Sequence, residues 1–337
     1  MPACHTVVEV KDASHVGEAR RIAARIAAET SLGEADRGRV AIVATEMANN
    51  LHRHAVGGKV LLRPMRGPDS NRSDVGVELL AIDRGPGMPN VARCFEDGYS
   101  TGGTAGTGLG AIRRLATESD VYSAQPSGTV IMARIFAAGT HPSEDPIRYG
   151  AICVAAPGET ACGDNWSFIA RDATATFMIA DGLGHGVLAA EASAEAVRVF
   201  EAKPLQRPAA FLQAAHQPLR TTRGAAVAAA LINIAERKLY YSGFGNVCGS
   251  IFDNRGADGR GLVSHNGTLG LQIRAVHDIE YDWPHCGLLV MHSDGLQTRW
   301  NLAAYPGLAQ RHPAVIAAIL FRDFTRGRDD VTVAVLR

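Results

Sequence analysis

Two sets of residues stand out by type and spacing. In the second half of the chain, acidic residues end apolar runs or sit beside glycine: Asp164 in CGDNW, Asp181 in ADGLGHG, Asp294 in HSDGL, and Asp329 with Asp330 in RDDVTV. Carboxylates gathered at buried strand ends are costly unless a cation neutralises them, and an all-oxygen ligand set selects a hard ion such as Mg2+ or Mn2+. Two such ions about 3.5–4 Å apart activate a bridging water and stabilise the leaving oxygen of a phosphoester. Neighbouring strand residues face opposite ways, so only one of Asp329 and Asp330 faces such a centre. Taken singly, each fragment has a plainer reading, DG as a turn and RDDVT as a charged hairpin.

In the first half, EMANNLHRHA (46–55), DRGPGM (83–88) and GTGLG (106–110) follow in fixed order. Glu46 and Asn50 share one helix face, where a carboxylate and an amide oxygen can hold a hydrated divalent cation or position a hydroxyl; an ordinary solvated stripe is the alternative. Asp83 ends an apolar run and precedes Gly85 and Gly87, which suits an adenine amino group, although Asp-x-Gly is also a common turn. Gly106, Gly108 and Gly110 open a helix, where free N–H groups favour an anion.

The elements that position these residues follow from periodicity. His5–Val10 alternates as a strand, Val16–Ala28 and Glu34–Ala55 have helical spacing, Val60–Met65 and Val75–Ile82 form a hairpin, and a helix and hairpin span about 107–135. This predicts an α+β sandwich of helices on one sheet. Beyond residues 137–147, whose Gly, Pro, Ser and charge mark a linker, short strands dominate: 151–155, 166–171, 176–180, 225–234, 238–242, 247–253, 287–292 and 331–336. Helical segments are expected near 186–201 and 207–217.

The chain's 337 residues predict two domains, with 34 basic and 34 acidic side chains giving no net charge. That balance argues against nucleic acid or an anionic membrane as a partner. The six cysteines include no CxxC pair, which predicts reduced thiols rather than a zinc knuckle or a dense disulfide framework. The N-terminus has no signal-like segment, so a cytoplasmic location is expected.

Together the three N-terminal motifs resemble the N, G1 and G2 boxes of the GHKL ATPase superfamily, over about residues 5–136. Within it, DGYSTGGTAGTGLGAIRRL is most similar to the anti-sigma serine kinases of the RsbT/RsbW type. The resemblance implies a Bergerat-type sandwich and makes Glu46 the base that takes a proton from a protein serine or threonine. It makes Asn50 a Mg2+ ligand and Asp83 the adenine contact, with Gly85 and Gly87 shaping that pocket. Gly106, Gly108 and Gly110 wrap the ATP phosphates, and Thr129 adds a polar contact near the base. The sequence departs from the pattern in having no obvious lysine near the phosphates, so Mg2+, the helix dipole and Arg113 or Arg114 would balance their charge.

PGETACGDNW, FMIADGLGHGVLAAEAS, LLVMHSDGL and GRDDVTVAVL resemble the SpoIIE-type branch of the PPM metal-dependent protein phosphatases, over most of 148–337. The resemblance implies an α/β/β/α β-sandwich flanked by helices and activity on phosphoserine and phosphothreonine with Mn2+ or Mg2+. Asp181 would bridge both ions and the Gly182 carbonyl would bind one. Asp164, Asp294 and Asp329, with Asp330 as the alternative to Asp329, would complete the centre, and His185 would protonate the leaving oxygen. The arginine that larger family members place before the first acid is lacking.

A kinase-like domain (1–136), a linker (137–147) and a phosphatase domain (148–337) in one chain predict a bifunctional regulator of one phosphorylation switch. The expected substrate is a STAS-type anti-sigma-factor antagonist, with a sigma factor as a further partner and self-association as a homodimer. Alternatively, the N-terminal domain only binds ATP or a partner and gates or localises the phosphatase.

Overall fold

The computed structural model describes residues 4–66, 74–94, 108–138, 140, 147–253, 259–273 and 275–337. The chain divides into two compact units, His5–Glu144 and Met1–Cys4 with Asp145–Arg337. Most of the expected linker lies outside the described residues. Among them no helix is long and apolar enough to cross a membrane.

The first unit runs β1 (Thr6–Val10), α1 (Ala13–Ala28), α2 (Glu34–His54), β2 (Gly58–Arg66), β3 (Asp74–Ile82), α3 (Val91–Cys94), α4 (Gly108–Leu115), β4 (Glu118–Ser123) and β5 (Thr129–Phe136). Asp12 starts α1 by accepting the Ser14 N–H at 2.8 Å, satisfying one of the orphan amides of the first turn. Helix α2 carries Glu34 and Asp36 in its first turn and His52, Arg53 and His54 in its last, matching the helix dipole at both ends. The antiparallel sheet has the order β1-β2-β3-β5-β4. One face, including Val60, Leu62, Val77, Leu79, Ala81 and Ala133, packs on Ala23, Val43, Met47 and Leu51 of the helices. On the other face Arg63, Glu78 and Arg134 are register partners, and Glu78 accepts from Arg63 Nε at 2.7 Å and Arg134 Nε at 2.6 Å. Burial pushes the Glu78 carboxyl up, but the two guanidinium groups and His5 outweigh it and hold it well below the ordinary range.

The second unit contains β6 (Tyr149–Val154), β7 (Asp164–Arg171), β8 (Thr174–Gly182), α5 (Val187–Ala202), α6 (Pro208–Leu219), β9 (Ala225–Asn233), β10 (Lys238–Phe244), β11 (Cys248–Phe252), β12 (Arg260–Leu262), β13 (Ile279–Asp282), β14 (Leu288–His292), α7 (Pro313–Phe324) and β15 (Val331–Leu336). Two antiparallel five-stranded sheets form, β13-β10-β9-β8-β7 and β12-β11-β14-β15-β6. Phe177, Ile179, Ala228 and Tyr241 of the first sheet share one core with Ala151, Leu289, Met291 and Ala334 of the second. The outer face of the first sheet, with Met178, Ala180 and Val227, packs on Ala192, Phe200, Phe211 and Leu212 of α5 and α6. Helix α7 packs on β6 and β15 of the second sheet. The layers are thus the expected α/β/β/α sandwich.

The sequence reading omits α3, a helix of four residues, and α7, β12 and β13. Helix α7, PAVIAAILFRDF, is buried over Pro313–Arg322 and therefore lacks the polar stripe that betrays an amphipathic helix. Strands β12 and β13 have only 3 and 4 residues, too few for alternation to register.

Candidate functional site

The acidic residues of the second unit come from both sheets. Asp164 opens β7 and Asp181 sits near the end of β8, and the two are register partners. Asp294 follows β14, and Asp329 with Asp330 precedes β15. Asp164 is 1% exposed; its Oδ2 accepts from Ser293 Oγ at 2.6 Å, while its buried Oδ1 has no hydrogen-bond partner. Burial first, then the nearby Asp181, raises the Asp164 carboxyl well above the ordinary range. Burial together with Asp294, Asp329 and Asp330 pushes Asp181 up to about 8. Asp294 is raised by burial and Asp329, against the opposing pull of Asn246 and Arg326. Five carboxylates thus lie within electrostatic reach of one another in a poorly solvated place.

Asp329 and Asp330 differ in what holds them. Both Asp330 oxygens accept backbone N–H groups, Oδ1 from Ala156 at 2.8 Å and Oδ2 from Gly163 at 2.9 Å. Asp329 Oδ1 accepts the Asp330 N–H at 2.9 Å. Asn246 Nδ2 donates to Asp294 Oδ2 at 2.5 Å. The loop after β8 crosses closely: a Cβ on Gly163 would lie 2.7 Å from Asp330 Oδ2 and 3.3 Å from the Gly184 carbonyl, and one on Gly182 would meet the Ala189 backbone. Glycine at both places lets the 182–186 loop and α5 approach the acidic residues. A buried carboxylate oxygen without a hydrogen-bond donor, beside carboxyls raised by burial and by neighbouring acids, fits a divalent cation.

His185 lies on this loop, its side chain 64% exposed, with Nδ1 2.6 Å from Glu159 Oε1. Glu159, His185, Gly186 and Arg223 line a cleft of about 450 Å³, and a Cβ on Gly184 would lie 3.3 Å from Arg223 Nη1. Sequence reasoning missed Glu159, Arg223, Asn246 and Ser293. Each lies far in sequence from the group it meets, Glu159 from His185, Arg223 from Gly184, Asn246 from Asp294 and Ser293 from Asp164; only Ser293, inside HSDGL, stood next to a singled-out residue.

In the first unit, Glu46 and Asn50 of α2 meet the start of α4, where a Cβ on Gly108 would lie 2.9 Å from Glu46 Oε2 and 3.4 Å from Asn50 Oδ1. Asn50 Nδ2 is buried with no hydrogen-bond partner. An orphan donor there suits a phosphate oxygen, and the amide turned over offers Oδ1 to a cation. Asp83 Oδ1 accepts the Gly85 N–H at 2.6 Å, and the Asp83 N–H donates to the Thr129 carbonyl at 2.9 Å. Thr129 Oγ1 is 2.8 Å from Ser123 Oγ, which also accepts the Met88 N–H at 2.7 Å. Gly87 has φ +73°, and a Cβ there would meet the Ala124 carbonyl at 2.6 Å. Gly110 is buried within α4, whereas Gly106 lies outside the described residues.

Residues 10–135 match the family described as histidine kinase-like ATPase domain, and residues 171–337 match stage II sporulation protein E, SpoIIE. The chain is 32% identical over 115 residues to serine/threonine-protein kinase RsbT of Bacillus subtilis (strain 168), covering 34% of this chain and 84% of RsbT. It is 32% identical over 90 residues to phosphoserine phosphatase RsbX of the same organism, covering 27% of this chain and 45% of RsbX, so it spans less than half of that relative. Among solved structures, a chain from "The bacterial stressosome: a modular system that has been adapted to control secondary messenger signaling" is similar with a TM-score of 0.53 and 26% identity, covering 57% of this chain and 100% of that one. The chain therefore belongs, through residues 10–135, to the histidine kinase-like ATPases of the RsbT type, and carries in the same polypeptide a SpoIIE-type domain of the metal-dependent protein phosphatases.

Proposed function

We propose that the chain is a bifunctional regulator of a protein phosphorylation switch: a Mn2+- or Mg2+-dependent phosphoserine and phosphothreonine phosphatase whose N-terminal domain is an ATP-dependent serine kinase, acting on a STAS-type anti-sigma-factor antagonist. The observation that carries the phosphatase reading is the meeting of Asp164, Asp181, Asp294 and Asp329 from opposite sheets, with Asp164 Oδ1 buried and unpartnered. Divalent ions bound there would supply a water activated for attack and offset the charge of the phosphate. The Gly182 carbonyl would join the four carboxylates in holding the ions. Asp330, with both oxygens engaged by backbone amides, holds the Ala156 and Gly163 segments in place. His185, oriented through Nδ1 by Glu159, gives its Nε2 proton to the leaving serine oxygen.

In the N-terminal domain Glu46 takes the proton of the attacking hydroxyl. Asn50 binds Mg2+, Asp83 with Gly85, Gly87 and Thr129 receives adenine, and Gly106, Gly108 and Gly110 cradle the ATP phosphates. The space beside Gly108, which a Cβ would fill against Glu46 and Asn50, supports this grouping. A second reading, an N-terminal module that binds ATP or a partner without phosphoryl transfer, is favoured by one observation: Lys11 and Lys59, the lysines of residues 1–136, both pair with Glu9.

The test uses the full chain. Mn2+-dependent phosphate release from a phosphoserine peptide is expected to vanish in Asp181→Ala, and transfer of labelled phosphate from ATP to a STAS protein is expected to vanish in Glu46→Ala. ATP binding without transfer would leave the second reading. No release with any divalent ion would overturn the phosphatase assignment.

A further inference from the structure

Three of the six cysteines, scattered in sequence, come together in the second unit. Cys4 belongs to that unit, Cys153 lies on β6 and Cys162 in the turn before β7. Cys4 Sγ and Cys153 Sγ are 2.9 Å apart, Cys153 Sγ and Cys162 Sγ 3.6 Å, and all three sulfurs lie within 4.8 Å of one another. Cys153 and Cys162 are buried and Cys4 is half-buried. A thiol can fill a core as a small hydrophobe, but packing alone does not bring three sulfurs from separate stretches of chain onto one point.

We propose that Cys4, Cys153 and Cys162 form a Zn2+ site, chemically distinct from the acidic centre and occupied by a thiophilic rather than a hard cation. The three sulfurs form the group, with the Asp330 carboxylate hydrogen-bonded to Cys162 at its border, and thiolates select soft or borderline ions over Mg2+ and Mn2+. Two thiolates at about 2.3 Å from one tetrahedral Zn2+ stand about 3.8 Å apart, so the Cys153–Cys162 pair already has the right span. The half-buried Cys4 side chain needs to open from Cys153 by about an ångström, which leaves a fourth position for water. Binding exchanges three S–H protons for one ion: three thiols and Zn2+ give a zinc tris-thiolate of net charge −1 and three released protons, with no redox change.

The site touches the backbone that presents Asp164. Cys153 Sγ lies 3.7 Å from the Asp164 carbonyl oxygen, and Cys162 precedes Gly163, whose N–H holds Asp330. Zn2+ there fixes the turn from which the first carboxylate projects, which makes it a positioning element whether or not the phosphatase reading holds.

The test uses the full chain, reduced and stripped of metal, with Co2+ as the probe. Sulfur-ligated Co2+ gives an intense near-ultraviolet charge-transfer band that oxygen-ligated Co2+ lacks. One equivalent is expected to produce the band, Zn2+ to bleach it, and Asp181→Asn to retain it. Cys153→Ser and Cys4→Ser are each expected to abolish it. Because Cys4 is half-buried, Cys4→Ser keeps the test valid if the buried Cys153→Ser variant does not fold. A band that survives Cys4→Ser and Cys153→Ser, or no band at all in the wild-type chain, would overturn the proposal. So would a Cys4–Cys153 disulfide in protein purified without reductant, since it would make the pair a redox couple instead.

Discussion

Ser293 joins the two sheets of the second unit at Asp164: its hydroxyl donates to Asp164 Oδ2 at 2.6 Å and accepts the Thr332 N–H at 2.9 Å. The carboxylate on one sheet is thereby aimed by a residue anchored to the other. Ser293→Ala is expected to weaken Mn2+ affinity about 10–100-fold, the usual cost of losing a partner that orients a ligand. The Mn2+ concentration for half-maximal phosphate release measures it, and an unchanged midpoint would show that the hydroxyl does not orient Asp164.

Asp329 and Asp330 are expected to separate by phenotype. Asp329→Asn should lose phosphatase activity with little change in Tm. Asp330→Asn, which disturbs the acceptor of two backbone amides, should lower Tm because each buried donor left without a partner costs about 1–3 kcal/mol. Thermal melts beside activity assays distinguish them, and the reverse pattern would exchange their roles.

The acidic centre should make the metal-free chain weaker as pH rises. Asp181 is pushed from 3.8 to about 8, so the folded chain binds this proton more tightly than the unfolded one. That contribution is complete below about pH 4 and is lost as pH climbs through about 8. In chelator, Asp181→Asn is therefore expected to melt above the wild type near pH 8 and to lose that advantage toward acid pH. Saturating Mn2+ should stabilise the wild type selectively at the alkaline end. Parallel wild-type and variant melting curves across pH would refute this.

In the first unit Glu78 is the shared acceptor of Arg63 and Arg134. Glu78→Ala removes the carboxylate from two buried guanidinium groups and should destabilise the chain by about 3–5 kcal/mol, the range for breaking a buried ion pair. Urea unfolding followed by circular dichroism measures it. A loss below about 1 kcal/mol would show that the cluster relaxes into solvent.

Arg223 supplies a guanidinium beside Gly184 and His185 in a chain whose sequence lacks the expected arginine before the first acid. Arg223→Ala is expected to raise KM for a phosphoserine peptide about tenfold while leaving kcat within a factor of about two, the signature of uniform binding. A fall in kcat at constant KM would place the guanidinium in the transition state instead.

How much of this was legible in sequence depended on how local the signal was. Strands β8 and β15 were readable as short, β-rich apolar runs bounded by glycine and acid, and helices α1 and α2 by a polar stripe that sets one face apart from the other. Helix α7 was not, because burial on every side erases the period. The acids carried their own signature of glycine and apolar neighbours. Their auxiliaries did not: Glu159 reaches His185 from 26 residues away, and Cys4 reaches Cys153 across 149. Those separations are closed only by the order of the strands.

The division of the acids between two sheets makes the centre a vernier. Asp164 and Asp181 travel with one sheet and Asp294 and Asp329 with the other, so the proposed metal site exists only where the two sheets pack in their native alignment. A misassembled sandwich therefore cannot be partly competent. On the proposed phosphatase reading, correct alignment is a condition of catalysis, so a folding error in this unit is expected to give a silent protein rather than an unregulated one.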